Sequence, residues 1–219
     1  MEMVPRGMAS LKNLVKLCIG VCKFDKEGLQ VLMGMPSLAY LQLCLIHVIE
    51  EKLTVGSNGF RLLKVFHFKY TPASPFVSEQ TASGGLRISE NKKRDGLRLT
   101  FAPGSVPAFR WLCLDLSPMF VAPDFFANLG VEHLPGLAQL EVKINCYRAA
   151  LDKVEALESS VEKAINLHPN REIHVGRVKD YGMFKDEKEW EEAVLKERKE
   201  KEEILRQLRD GRFARRNET

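Results

Sequence analysis

No charge of either sign dominates this sequence. Its 33 Lys+Arg stand against 29 Asp+Glu, a net charge of +4 over 219 residues. Residues 185–219 hold 11 basic and 11 acidic side chains, so the excess is spread thinly over the remainder. There is no basic stripe to follow a phosphate backbone, which argues against nucleic acid as a partner. Cysteine is sparse and odd in number: Cys18, Cys22, Cys44, Cys113 and Cys146. That set suits a reducing compartment better than a disulfide framework, so the expected location is cytoplasmic. Long apolar runs are missing too. The best stretch, residues 29–49, is interrupted by Gln30, Pro36, Gln42 and His47, whereas a membrane span needs about 20 nearly unbroken apolar residues. The first residues lead into no apolar segment with a small-residue cleavage site, so no secretory signal is read.

Chemistry-bearing motifs are equally scarce. No G-x-x-x-x-G-K-[ST] loop occurs, so nothing cradles the phosphates of ADP or ATP. No G-x-S-x-G and no local Ser/His/Asp grouping points to a nucleophile. Cys18 and Cys22 stand in C-x₃-C spacing, but no second pair follows, and the repeat frame described below faces them in different directions. His47, His67, His133, His168 and His174 share no ligand spacing. The chain is expected to be no enzyme and to hold no metal or cofactor. Disorder of the chain as a whole is excluded as well, because 45% of the residues are hydrophobic.

What is present is self-similarity. Leu11, Leu14, Leu17 and Ile19 set apolar positions 1, 4, 7 and 9 of a frame. Met35, Leu38, Leu41 and Leu43 repeat it, as do Phe60, Leu63, Phe66 and Phe68. Val106, Phe109, Leu112 and Leu114 follow, then Leu134, Leu137, Leu140 and Val142. The second positions are separated by 24, 25, 46 and 28 residues. Since 46 is twice 23, either a copy has decayed near Leu86, Arg87 and Ile88 or a loop has been inserted there. This is the frame L-x-x-L-x-L-x-x-N/C-x-L of leucine-rich repeats, whose period is 20–29 residues. The N/C position falls on Cys22, Ile46, Thr71, Ser117 and Asn145. Four of these are small residues able to satisfy backbone groups where a short strand ends. The expected fold is α/β, a leucine-rich-repeat solenoid in which 5–6 repeats build a curved parallel β-sheet.

The ends differ from the middle. Val4 to Met8 reads as the tail of a return segment, so the first strand is expected to have an apolar side uncovered, as in a truncated or fragmentary chain. Beyond Asn145, Leu151, Val154, Leu157, Val161, Ala164 and Ile165 recur at helical spacing. His168, Pro169 and Asn170 stop that helix, and an edge strand follows over residues 171–175. Between residues 185 and 210, 18 of 26 residues are charged, with Glu192/Lys196, Glu197/Lys201 and Glu202/Arg206 in the favourable i,i+4 order. The expected division is repeats over 1–147, a helix–strand cap over 148–178 and a charged tail, helical or disordered, over 179–219. Residues 71–96, rich in Pro, Ser, Gly and charge, read as a mobile excursion.

Several phrases resemble a known group. They are Val4-Pro5-Arg6-Gly7-Met8 with Leu11-Lys12-Asn13-Leu14, Gly59-Phe60-Arg61-Leu62-Leu63-Lys64-Val65, and Leu99-Thr100-Phe101-Ala102-Pro103-Gly104-Ser105-Val106-Pro107. More specific are Gly130-Val131-Glu132-His133-Leu134-Pro135-Gly136-Leu137, Val142-Lys143-Ile144-Asn145-Cys146, and the close from Val161 to Asn170. Over about residues 4–175 the chain resembles the C-terminal leucine-rich-repeat domain of plant intracellular disease-resistance proteins, the NLR receptors, in the version common in grasses. The resemblance implies a non-catalytic module of plant defense that senses a pathogen effector directly or through a guarded host protein. It also implies contacts with upstream receptor domains that hold such a receptor off. The chain departs from those receptors in carrying no phosphate-binding loop, so it is expected to lack their nucleotide-binding domain.

Strand alternation then nominates the binding residues. The outward set is Lys16, Cys18 and Gly20; Tyr40, Gln42 and Cys44; Val65, His67 and Lys69; Trp111, Cys113 and Asp115; Gln139, Glu141 and Lys143. From it, Tyr40, Gln42, His67, Lys69, Trp111, Asp115, Gln139, Glu141 and Lys143 are the candidate protein-binding residues of a concave face. Trp111 is the expected anchor, since large aromatic side chains dominate interface energetics. A second reading is a scaffold with no immune role that recruits protein partners through the same face.

Overall fold

Each copy of the frame opens on a turn. The N–H at position 4 donates to the carbonyl at position 1 from Leu14 to Leu11 (3.3 Å), Leu63 to Phe60 (3.2 Å), Phe109 to Val106 (3.3 Å) and Leu137 to Leu134 (3.1 Å). Two residues later the chain reaches across to the preceding copy. The N–H groups of Tyr40, Val65, Trp111, Gln139 and Glu172 donate to the carbonyls of Val15, Ala39, Lys64, Arg110 and Ala138. Those bonds set the register of everything that follows.

The computed structural model describes residues 3–50, 52–57, 59–72, 76–80, 86–90, 96–166 and 172–216. In chain order they form β1 (Lys16–Phe24), α1 (Lys26–Met33), β2 (Tyr40–Val48), β3 (Lys52–Val55), β4 (Val65–Tyr70), β5 (Phe76–Gln80), β6 (Leu86–Glu90), β7 (Arg98–Phe101), β8 (Trp111–Leu116), β9 (Gln139–Asn145), α2 (Leu151–Asn166), β10 (Glu172–Val178) and α3 (Glu187–Arg216). The main sheet has six parallel strands in the order β1-β2-β4-β8-β9-β10. Leu17, Leu41, Phe66, Leu112 and Leu140 lie side by side on adjacent strands, and Ile173 extends the row. All but the two end members are buried. Burying each such side chain contributes about 1.5–3 kcal/mol, and every one shares its contacts with two neighbours. Phenylalanine thickens the middle of this core: Phe66 meets Phe101 edge-on at 6.5 Å and Phe68 at 5.8 Å.

The 46-residue interval is an insertion. β4 pairs directly with β8, residue for residue from Val65↔Trp111 to Tyr70↔Leu116, so no rung is missing between them. The extra chain forms an antiparallel hairpin, β5 with β6. It then returns to β7, which pairs in parallel with β3 in a separate two-stranded sheet. Gly96 and Gly130 bracket this return path at φ +86° and +76°, and a Cβ on Gly130 would stand 2.3 Å from the Phe101 carbonyl oxygen. Only glycine fits there.

The N/C position departs from expectation. Ser117 and Asn145 are buried, and Asn145 Oδ1 accepts from the Tyr147 N–H at 3.2 Å. Cys22 is exposed and Ile46 is 60% exposed. The reason is strand length: β1 and β2 run for nine residues and carry these two positions along on the outer face. After β1, Asp25 caps α1 by accepting from the Gly28 N–H at 2.8 Å. The apolar stretch at 29–49 thus splits into helix α1 and strand β2. No helix among the described residues is long and apolar enough to cross a membrane.

At the first rung, Leu11 is 46% exposed, while its counterparts Met35, Phe60, Val106 and Leu134 are 0–1% exposed. Val4 and Met8, around a 3₁₀ turn at Arg6–Ser10, cover part of that side. At the other end α2 forms as the periodicity predicts, with Val154, Leu157 and Val161 buried, and the edge strand expected over residues 171–175 is β10, which runs on to Val178. The stop at His168, Pro169 and Asn170 lies outside the described residues. The charged segment is helix α3, begun by Asp186, whose carboxylate accepts from the Glu189 N–H at 2.9 Å. Its root is stitched to the body: Arg148 N–H donates to Gly182, Phe184 N–H to Ala149, and Leu151 N–H to Phe184. Arg148–Glu197 and Lys153–Glu187 add ion pairs along the first half of α3.

Candidate functional site

The residues between the buried ones emerge on the outer face of the sheet in three rows. Strand pairing aligns Lys16, Tyr40, Val65, Trp111 and Gln139 in the first, and Cys18, Gln42, His67, Cys113 and Glu141 in the second. Gly20, Cys44, Lys69, Asp115 and Lys143 make the third. All nine candidate residues are therefore on one face, and all nine are half-buried by their neighbours. Two residues outside the nominated nine take part. Lys16 places its ammonium 4.6 Å from the Tyr40 ring centroid. Cys113, only 4% exposed, lies beside Glu141. Their outward register was legible; their contacts were not.

Aromatic rings link the first two rows. His67 stands 5.7 Å from Tyr40 and 5.2 Å from Trp111, edge-on to the latter at 81°. Burial and then the charge of Lys143 push the His67 imidazole below its ordinary value, against an opposing pull from Glu141. It is neutral at neutral pH. The charges beside it close on one another. Lys69 Nζ lies 2.7 Å from Asp115 Oδ2, and Lys143 Nζ lies 3.0 Å from Glu141 Oε1. The bond to Lys143 holds the Glu141 carboxyl below the usual range and raises the Lys143 ammonium. Such partly exposed pairs add about 0–1 kcal/mol each, so their main effect is to leave the face electrically balanced.

With that geometry in view, a comparison with known families is decisive: the leucine-rich repeat region matches residues 1–174. The chain belongs to the leucine-rich-repeat family. No curated protein and no solved structure matches it. Leucine-rich-repeat regions are generally non-catalytic modules that bind other proteins over an extended face.

A reactive thiol has a lowered pKa, whereas burial drives the Cys113 thiol up to about 11. Among the described residues, no group of three His, Cys, Asp or Glu is placed to hold a metal ion. Cys18 and Cys22 do not face in different directions. Four residues apart on β1, they share its exposed outer side, because the strand continues past both to Phe24.

Proposed function

We propose that this leucine-rich-repeat protein is a recognition module of plant innate immunity. Its repeats form a curved solenoid, whose hollow outer face grips a pathogen effector or a guarded host protein in the cytoplasm. The observation that carries the reading is the three-row register. Tyr40, Gln42, His67, Lys69, Trp111, Asp115, Gln139, Glu141 and Lys143 share one continuous surface over four adjacent strands. Large half-exposed aromatics ringed by closed polar pairs are the composition expected of an interface centre. The immune assignment rests on the family phrases quoted above, from Val4-Pro5-Arg6-Gly7-Met8 to the close at Asn170.

A photo-crosslinking amino acid placed at Gln139 or Lys69 tests this in plant tissue with and without pathogen. The control position is Glu162, exposed on α2. The expected result is a protein captured from the two sheet positions, dependent on infection or identifiable as a pathogen target, and absent at Glu162. Equal capture at all three positions defeats the face. Capture of the same housekeeping protein regardless of infection replaces immunity with the scaffold reading.

A further inference from the structure

The main sheet ends on an open strand. β10 is its last member and pairs on one side only, with β9. The Glu172 N–H donates to the Ala138 carbonyl at 3.1 Å, and the Val178 carbonyl accepts from the Cys146 N–H at 2.9 Å. Even-numbered residues therefore turn their backbone groups to β9, and alternation turns those of Ile173, Val175 and Arg177 the other way. Among the described residues these outward groups have no hydrogen-bond partner. Val175 is 39% exposed, and a Cβ on Gly176 would meet nothing within 4 Å. The opposite edge differs: Gly20 and Lys23 on β1 already engage other groups, and Val4 and Met8 cover part of that side.

Exposed edges are normally guarded by proline, lysine or a bulge, because a bare one templates pairing with another chain. β10 holds no proline or lysine and pairs with β9 residue for residue, without a bulge. Its arginine is tied down, since Arg177 donates from Nε and Nη2 to the Glu158 carboxylate at 2.7 Å each. The strand is also complementary to itself. Set antiparallel about a two-fold axis at Val175, that residue faces its own copy, and Ile173 faces Arg177, whose aliphatic stem covers it. His174 then faces Gly176, so the bulkiest outer side chain meets the smallest, and Glu172 faces Val178. No two like charges stand opposite each other. Stacking β10 on β1 of a second copy would bring Glu172 to Lys16, but that arrangement grows without closure and uses the partly covered edge.

We propose that β10 is a dimerisation edge. Two copies of the chain pair it antiparallel, in the register centred on Val175, through about six backbone hydrogen bonds. Two six-stranded sheets then run on as one. The two-fold axis stands normal to the sheet, so the outer faces of both copies lie on the same side, and a repetitive or dimeric partner meets two of them at once. The dimer stands whichever protein that face binds.

Sedimentation velocity of the full chain from about 5 µM to about 500 µM tests the pairing. The expected result is a concentration-dependent passage from monomer to dimer, with no larger species. Val175→Pro removes an outward N–H without breaking a bond to β9, a position where an edge strand tolerates proline, and it weakens dimerisation at least about tenfold. Gly176→Lys puts a side chain where the second copy's His174 would sit, and it does the same by about tenfold. That side chain lies in open space in the monomer, so this variant decides the matter should the proline variant fail to fold. Val175→Cys, oxidised with diamide, joins two copies through the introduced thiols, whose Cα atoms stand about 5.5 Å apart in this register; peptide mapping reads the link. Monomer at every concentration, or a dimer that persists in both the proline and the lysine variant, overturns the proposal. So does growth beyond a dimer with the introduced thiol joined to Cys18, which marks head-to-tail stacking on β1.

Discussion

Leu112 and Trp111 are neighbours in sequence on opposite sides of β8, and replacing each by alanine should give opposite outcomes. Leu112 is fully buried between Phe66 and Leu140 in the core row. Truncating it removes about 2–3 kcal/mol of transfer energy and leaves a cavity that a row held on both sides closes poorly, so the total loss is about 3–4 kcal/mol. Trp111→Ala removes the burial of a half-buried ring, about 1–1.5 kcal/mol, and its edge contact with His67, about 0.5–1.5 kcal/mol. It also removes a buried indole N–H with no partner, which returns about 1–3 kcal/mol. The net change should lie within about 1 kcal/mol of zero. For an m-value of about 2 kcal/mol per molar urea, the midpoint falls by about 1.5–2 M for Leu112→Ala and moves by less than about 0.5 M for Trp111→Ala. Far-ultraviolet circular dichroism reads both. Equal losses, or a larger loss for Trp111→Ala, would mean that the two faces of the sheet have been exchanged.

Four further outcomes are expected. The lowered pKa of His67 means that the unfolded chain takes up its proton first, near the ordinary 6.5. Stability should therefore be full above that pH and fall as pH drops toward the lowered value, and His67→Gln should flatten this slope in urea titrations at pH 5–8. Gly130→Ala should cost at least about 2 kcal/mol, since a Cβ there meets the Phe101 carbonyl oxygen at 2.3 Å in a left-handed conformation, as thermal melting would show. Truncation after Lys201 should leave the melting temperature nearly unchanged. Deletion from Gly182 onward should lower it by several degrees, because Arg148, Ala149 and Leu151 lose their backbone partners and Met183 leaves the core. In timed alkylation with iodoacetamide, exposed Cys18 and Cys22 should react before buried Cys113, whose thiol pKa is about 11; rapid labelling of Cys113 would contradict its packing.

The repeat was legible because a strand that must share its apolar side with identical neighbours cannot vary at the shared positions. Leu17, Leu41, Phe66, Leu112 and Leu140 could be aligned from spacing alone, and they meet in space. Spacing could not choose between a decayed copy and an insertion over residues 71–96. Both give the same interval, and only the direct β4–β8 ladder distinguishes them. Nor could it foresee that Cys22 and Ile46 face outward, since that depends on β1 and β2 running on beyond the shared frame.

Within the shared frame, local periodicity by itself determined which side chains point into the core and which point out, because alternation along a strand is a property of the backbone. Tertiary structure decided what the outward ones do. Tyr40, His67 and Trp111 come from three strands, and their rings meet only after parallel pairing brings residues up to 44 positions apart within ring contact. The same pairing closes Lys69 on Asp115 across 46 residues, which no pattern within either strand contains.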